Sequence, residues 1–123
     1  MFTVERVFAP GLRWRLHRPD LPGRLPLQIS VSGGGWQCMG LSVLAHQTWL
    51  CRHGVAVACV EYRTAPAVRG EQIVRDVAAG IAALRRNAAA LGLDPRRIAL
   101  WGDSAGAHLV SLLAVRGDGG WRP

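Results

Sequence analysis

The segment Gly102-Asp103-Ser104-Ala105-Gly106 joins an apolar run to a run of small residues. Ile98–Trp101 predicts a strand and Ala105–Val115 predicts a helix, so a sharp turn must carry Ser104 at its apex. The flanking glycines suit such a turn, because a Cβ there would crowd the neighbouring backbone. The turn lifts the hydroxyl of Ser104 clear of the sheet and places its amide at a helix N-terminus, which favours a developing oxyanion. The pattern predicts an α/β fold with a candidate nucleophile; a turn kept small for close packing is the alternative.

Composition removes several classes of function. The 123 residues carry a formal charge of +7, and all fifteen basic residues are arginine. The arginines are spread from Arg6 to Arg122 without a long basic run, so we expect no nucleic-acid partner. The lack of lysine excludes a P-loop and a lysine Schiff base. Half of the residues are hydrophobic, which is enough for a packed core.

Cysteine and histidine usage predicts neither a metal centre nor a disulfide framework. Cys38, Cys51 and Cys59 form no C-x-x-C motif, and the four histidines show no spacing typical of metal ligands. The segment Met1–Pro10 has no sustained apolar core, and no run reaches the length of a membrane span. We therefore expect a cytoplasmic protein with no membrane span and no cofactor.

Apolar patterning predicts strands that alternate with helices in a single domain over residues 1–123. Two short strands, Thr3–Ala9 and Leu12–His17, are joined at Pro10-Gly11 as an antiparallel hairpin. The alternation that follows predicts a mostly parallel sheet with helices on both faces. The remaining predicted elements are a strand Leu27–Ser32, a helix Met39–Arg52, a strand Val55–Tyr62, a helix with an apolar stripe from Ile73 to Leu91 that stops at Gly92, a turn at Asp94-Pro95 and a strand Arg97–Trp101.

Two further motifs precede the serine turn. The predicted strand Leu27–Ser32 runs into Ser32-Gly33-Gly34-Gly35-Trp36, and the next strand runs into Val60-Glu61-Tyr62-Arg63-Thr64-Ala65-Pro66. In this order, with Gly102-Asp103-Ser104-Ala105-Gly106 last, the motifs resemble the esterase/lipase branch of the α/β-hydrolases. Its hormone-sensitive-lipase-like and feruloyl-esterase-like carboxylesterases carry H-G-G-G/A-W, D-Y-R-L-A-P and G-D/E-S-A-G. The resemblance covers the chain from about Leu27 onward and implies the α/β-hydrolase fold.

The resemblance implies a site as well as a fold. Ser104 would attack the carbonyl of a small-molecule ester, and the backbone N–H groups of Gly34, Gly35 and Ala105 would bind the oxyanion. Glycine suits such a loop because bare backbone must approach the developing charge closely. The residues that would support this arrangement are Ser32, Gly33, Trp36, Gly102, Asp103 and Gly106.

The chain departs from the family pattern at three positions. Ser32 stands where the family has histidine, Glu61 where aspartate is usual, and Thr64 where leucine is usual. The oxyanion donors are main-chain groups, so the first change need not remove them. We interpret all three as tolerated structural changes. Asp76 is expected to be solvated on its helix, and Asp94 to lie in a turn.

The triad acid and histidine of this fold follow the serine in chain order. After Ser104 the chain offers His108, on the same helix, and Asp118, which comes too early for the acid. We therefore assign neither group to this chain, which resembles an N-terminal half of the fold, truncated after the helix that follows the serine. Two alternatives to an esterase stay open: an inactive or partner-dependent remnant, and an amidase resembling arylformamidases. The apolar edge of Arg97–Trp101 predicts self-association.

Overall fold

The computed structural model describes residues 1–34 and 45–116. A mixed sheet in these residues has the strand order β1-β2-β4-β3-β5. Its elements, in chain order, are β1 (Phe2–Ala9), β2 (Leu12–Arg18), β3 (Leu25–Val31), α1 (Ala45–Arg52), β4 (Ala56–Val60), α2 (Gly70–Arg86), β5 (Leu93–Gly102) and α3 (Ala105–Arg116).

The described part of the sheet is mixed, with two parallel and two antiparallel pairings. Strand β3 pairs in parallel with β4 and with β5. The β1–β2 hairpin is antiparallel as predicted, and β2 also pairs antiparallel with β4. The parallel pairings lie in the β3–β4–β5 region, where strands alternate with helices. Both antiparallel pairings involve the hairpin strand β2. Because β3 lies between β4 and β5, the carboxyl ends of these three strands meet at one edge of the sheet.

The main core fills one face of the sheet. Alternate side chains of β2, β3 and β4 pack there against α2 and α3, and full burial of each large aliphatic side chain is worth about 1.5–3 kcal/mol. The apolar stripe of α2 supplies its share of this core as predicted. Core residues include Trp14, Leu16, Leu27, Ile29, Val31, Ala58, Val60, Ile73, Val77, Ile81, Leu84, Leu109 and Leu113.

Helix α1 covers the opposite face. The buried Gln47 donates from its Nε2 to Oε1 of Gln28 at 3.3 Å, and the thiol of Cys51 lies 3.8 Å from the carbonyl oxygen of His17. Helices therefore lie on both faces, as predicted. The predicted helix Met39–Arg52 is confirmed over Ala45–Arg52, and its first residues lie outside the described ones.

The predicted end of α2 is wrong by several residues. The helix ends at Arg86, and the side chain of Asn87 donates to the carbonyl oxygen of Ala83 at 2.7 Å. The three- and four-residue spacing of apolar residues continues through the turns after Arg86, so the sequence pattern predicts a longer helix than the one observed. Strand β5 in turn begins at Leu93 rather than Arg97, because the buried Leu93 pairs with Leu25 across the sheet.

Candidate active site

The turn between β5 and α3 is strained. Ser104 has a φ of 49°, which makes it the non-glycine residue with a positive φ in the described parts of the chain. A side chain in this region costs on the order of 1–3 kcal/mol, and such strain is concentrated at functional sites. The amide of Gly106 donates to the carbonyl oxygen of Asp103 at 2.8 Å, which closes the turn. The side chain of Ser104 is exposed at its apex.

Both flanking glycines are required by close backbone contacts. A Cβ on Gly102 would overlap the backbone of Gly106, and a Cβ on Gly106 would overlap the carbonyl oxygen of Val31. Backbone atoms cannot swing aside as a flexible side chain can. The spacing of the motif is therefore set by how closely α3 approaches β3 and the end of β5.

The glycine loop after β3 lies directly against this turn. The amide of Gly33 donates to Oδ1 of Asp103 at 3.0 Å. A Cβ on Gly33 would lie 2.6 Å from the carbonyl oxygen of Asp103 and 3.1 Å from Cβ of Ser104. Gly34 has a φ of 150°, which side-chain-bearing residues rarely adopt. The structure thus brings Ser104 together with Gly33, Gly34 and Asp103, while the predicted Gly35 and Trp36 lie outside the described residues.

The N-terminus of α3 presents a free donor beside the serine. Ala105 is the first residue of α3 and is fully buried. Its N–H has no hydrogen-bond acceptor among the described residues, because the first turn of a helix offers none. The dipole of α3 adds a partial positive charge at the same point. A negative oxygen above Ser104 would meet both.

Tyr62 connects the second motif to the first. Its hydroxyl donates to the carbonyl oxygen of Ser32 at 2.7 Å, and its side chain is almost completely buried. The bond fixes the main chain one residue before Gly33. The sequence pattern places Tyr62 in a motif but does not predict this contact.

Asp76 is buried, so the expectation that it is solvated is wrong. Its carboxylate accepts three hydrogen bonds from Arg63: from the backbone amide at 2.9 Å, from Nε at 2.8 Å and from Nη2 at 2.9 Å. The pair raises the pKa of the Arg63 guanidinium through the hydrogen bond and the charge of Asp76. It ties the segment after Tyr62 to α2. The sequence does carry a signal for this burial, because Asp76 lies three residues after Ile73 and therefore on the apolar stripe of α2.

Glu61 anchors the other side of the same segment. Its carboxylate accepts from the backbone amide of Arg13 at 2.7 Å, from Nε at 3.1 Å and from Nη2 at 3.3 Å. Hydrogen bonding to Glu61, with the added attraction of its charge, raises the pKa of Arg13. The glutamate that replaces the family's aspartate thus holds the start of β2 against the end of β4.

The described histidines contact other groups than the serine hydroxyl. His108 lies on α3 with its amide bonded to the carbonyl oxygen of Ser104 at 3.1 Å, and the ring of His46 lies 4.7 Å from that of Trp101. His17 lies on β2 under α1, and burial lowers its pKa. Within residues 1–34 and 45–116, no hydrogen bond engages Oγ of Ser104, no cluster of potential metal ligands occurs, and no helix could cross a membrane.

The fold is that of the α/β-hydrolases. Est2, a thermophilic esterase from Thermogutta terrifontis, superposes with a TM-score of 0.83 at 25% identity over 91% of this chain and 44% of its own. A bacterial heroin esterase superposes with a TM-score of 0.78 at 34% identity over 86% of this chain and 34% of its own. Residues 17–119 match the BD-FAE family, and the chain belongs to it.

Curated relatives carry names of esterases. The chain is 37% identical to the esterase LipQ of Mycobacterium tuberculosis over 129 aligned positions, which cover 92% of this chain and 29% of LipQ. It is 33% identical to the isoprenylcysteine alpha-carbonyl methylesterase ICME of Arabidopsis thaliana, over 83% of this chain and 24% of that protein. The chain thus spans less than a third of the length of either relative.

Proposed function

We propose that this chain is the nucleophile-bearing part of a carboxylic ester hydrolase, in which Ser104 attacks the ester carbonyl. The observation that carries the proposal is the strained Ser104 with Gly33 packed against its turn. Strain of this kind is kept where the surrounding structure has a use for it. The esterase names of the relatives support the same chemistry.

The proposed first step transfers the acyl group to the serine. Oγ of Ser104 bonds to the carbonyl carbon, its proton passes to a general base, and the carbonyl oxygen becomes an oxyanion. The N–H groups of Ala105, Gly34 and Gly35 would donate to that oxygen, at the 2.7–3.1 Å typical of such sites. Collapse of the intermediate releases the alcohol, which takes up the proton, and leaves an acyl-serine. Water then releases the carboxylic acid and restores Ser104.

Gly33 and Asp103 are proposed as positioning residues for this step. Their hydrogen bond holds the glycine loop at a fixed distance from the serine turn. Asp103 is exposed and bonded to the loop, and it is not proposed as the triad acid. Gly102 and Gly106 act through the close approach of α3 to the sheet. Trp36 and Ser32 are proposed to support the loop, with the carbonyl of Ser32 held by Tyr62.

The general base and the triad acid are proposed to come from residues other than those of this chain. His108 follows Ser104 by one helical turn, so its side chain lies along α3 rather than over the serine. A serine without a base is a weak nucleophile near neutral pH. We expect the chain alone to react slowly, with the residual rate supplied by the oxyanion donors.

Covalent labelling tests the nucleophile without requiring turnover. We expect a fluorophosphonate to modify the folded chain at Ser104, as read by peptide mass spectrometry, and to modify urea-unfolded chain far more slowly. Ser104→Ala should abolish the adduct, whereas Ser111→Ala, which changes an exposed serine on the same helix, should leave it unchanged. Equal labelling of folded and unfolded chain would contradict the proposed activation and favour an inactive remnant.

Ester and amide hydrolysis are separated by substrate pairs. If the enzyme is an esterase, p-nitrophenyl acetate should acylate Ser104 and p-nitroacetanilide should not. The assay uses a protein that includes the segment supplying the general base. A preference for the anilide would favour the amidase alternative.

Self-association and a cytoplasmic location stay predictions. Strand β5 pairs with β3 on one side, and its other side has no partner strand among the described residues. Such an edge can pair with a strand of another chain. Sedimentation velocity should show oligomers that Ala99→Lys, which places a charge at an exposed position of β5, reduces.

A further inference from the structure

A cavity of about 450 Å³ lies between the β1–β2 hairpin and the end of α2. Its lining includes the buried Trp14 together with the partly buried Phe8 and Leu91. The exposed Arg6, Arg86 and Asn87 also line it. The volume lies within the range of small-molecule sites, which runs from roughly 300 to 1,000 Å³.

The cavity carries an unbalanced positive charge. Arg6 donates to the backbone carbonyl of Glu5 at 2.8 Å, and neither Arg6 nor Arg86 has an ion pair among the described residues. The carboxylate of Glu5 pairs instead with Arg13 and Arg15. None of the described lining residues is acidic. Two arginines therefore line a cavity of mixed polar and apolar surface without a counter-charge.

The end of α2 would by itself repel an anion, because helix C-termini carry a partial negative charge. Two features counter this repulsion. Arg85 and Arg86 lie in the last turn, and the side-chain amide of Asn87 donates to the carbonyl oxygen of Ala83 at 2.7 Å. A carbonyl at the cavity is thereby occupied, and the net charge of the lining stays positive.

The cavity is distant from the serine site in the topology. Helix α2 starts after the carboxyl end of β4 and ends before the amino end of β5, whereas Ser104 follows the carboxyl end of β5. Strand β1 lies at the opposite edge of the described sheet from β5. The two sites therefore occupy opposite ends of the parallel strands.

We propose that this cavity binds a monocarboxylate with an aliphatic or aromatic body. The carboxylate would bind Arg6 and Arg86, since a guanidinium donates to both carboxylate oxygens at once. The apolar body would lie on the partly buried Phe8 and Leu91 and gain by leaving water. An alkane would leave the two arginines without an ionic partner, and a small anion would leave the apolar side chains in contact with water. A ligand with both a carboxylate and an apolar body would satisfy both parts of the lining.

Calorimetric titration with octanoate tests the proposal, using octanol and acetate as the two half-ligands. We expect octanoate to bind the full chain at least tenfold more tightly than octanol or acetate. The double variant Arg6→Gln/Arg86→Gln should lose at least tenfold in octanoate affinity and keep the affinity for octanol. The control Arg75→Gln, an exposed arginine on α2 that does not line the cavity, should bind octanoate as the unmodified chain does.

A second variant tests the cavity without touching the charges. Ala90→Trp fills it from an exposed turn position, so octanoate binding should be lost while the thermal unfolding transition is kept. Octanoate bound at the proposed acyl site near Ser104 would survive both sets of substitutions. Unchanged octanoate affinity in Arg6→Gln/Arg86→Gln, or equal affinity for octanol, overturns the proposal.

Discussion

The substitution Asp76→Asn tests how the segment after β4 is held. In the structure the Asp76 carboxylate accepts three hydrogen bonds from Arg63 and is 6% exposed. An amide keeps the shape of the side chain but replaces one acceptor oxygen with a donor that faces an arginine donor. One hydrogen bond to a charged group is lost, worth about 1.5–3 kcal/mol, and the other two weaken because the acceptor is neutral.

The exposure of Arg63 reduces this cost. Its side chain is 49% exposed, so the guanidinium regains water when the carboxylate is neutralised. We therefore expect Asp76→Asn to lower the free energy of unfolding by about 2 kcal/mol, near the low end of the range for such bonds. For a chain of this size the corresponding fall in Tm is about 6–12 °C. Urea titration followed by circular dichroism measures the free energy directly.

Glu71→Gln is the matched control on the same helix. Glu71 also accepts two bonds from one arginine, Arg116, but its side chain is 52% exposed. Surface pairs of this kind contribute little, so we expect the control to unfold at nearly the urea concentration of the unmodified chain. Asp76→Asn with a midpoint equal to that of Glu71→Gln would refute the reasoning from burial.

Three further predictions follow from other contacts. Tyr62→Phe removes the bond to the carbonyl oxygen of Ser32, so it should lower stability by about 1 kcal/mol in urea titration and slow fluorophosphonate labelling. Gly33→Ala should slow that labelling strongly, while Gly70→Ala, where a Cβ meets nothing within 4 Å, should not. Burial lowers the pKa of His17 below 6.5, so acidification protonates the unfolded chain first. Stability should therefore fall as pH drops from about 6.5 toward the folded pKa, and less so in His17→Gln.

Much of the fold could be predicted because its signals are local. The hairpin, the strand before the serine turn and the stripe of α2 each show their period within one stretch of sequence. The serine turn was likewise readable, because two glycines around a serine between a strand and a helix leave few conformations. The end of α2 was misplaced since apolar residues recur at the same spacing in the turns after Asn87. Only the pairing of Leu25 with Leu93 shows that the strand has already begun.

The contacts that position the site could not be predicted, because each joins residues far apart in the chain. Thirty residues separate Tyr62 from Ser32, and seventy separate Gly33 from Asp103. A tyrosine at the end of a buried strand signals only that its hydroxyl needs a partner, and the choice of partner is made by the β3–β4 pairing. The antiparallel pairing of β2 with β4 is of the same kind: it depends on which sheet edge the hairpin meets.

These distant contacts hold the glycine loop through its main chain. Tyr62 bonds to the carbonyl oxygen of Ser32, and Asp103 bonds to the amide of Gly33. Both groups belong to the main chain, so they are present whatever side chain position 32 carries. The side chains that hold the loop are Tyr62, which follows β4, and Asp103, which lies in the serine turn. We therefore expect substitutions at Tyr62 or Asp103 to disturb the loop more than a substitution at Ser32, as measured by the rate of fluorophosphonate labelling.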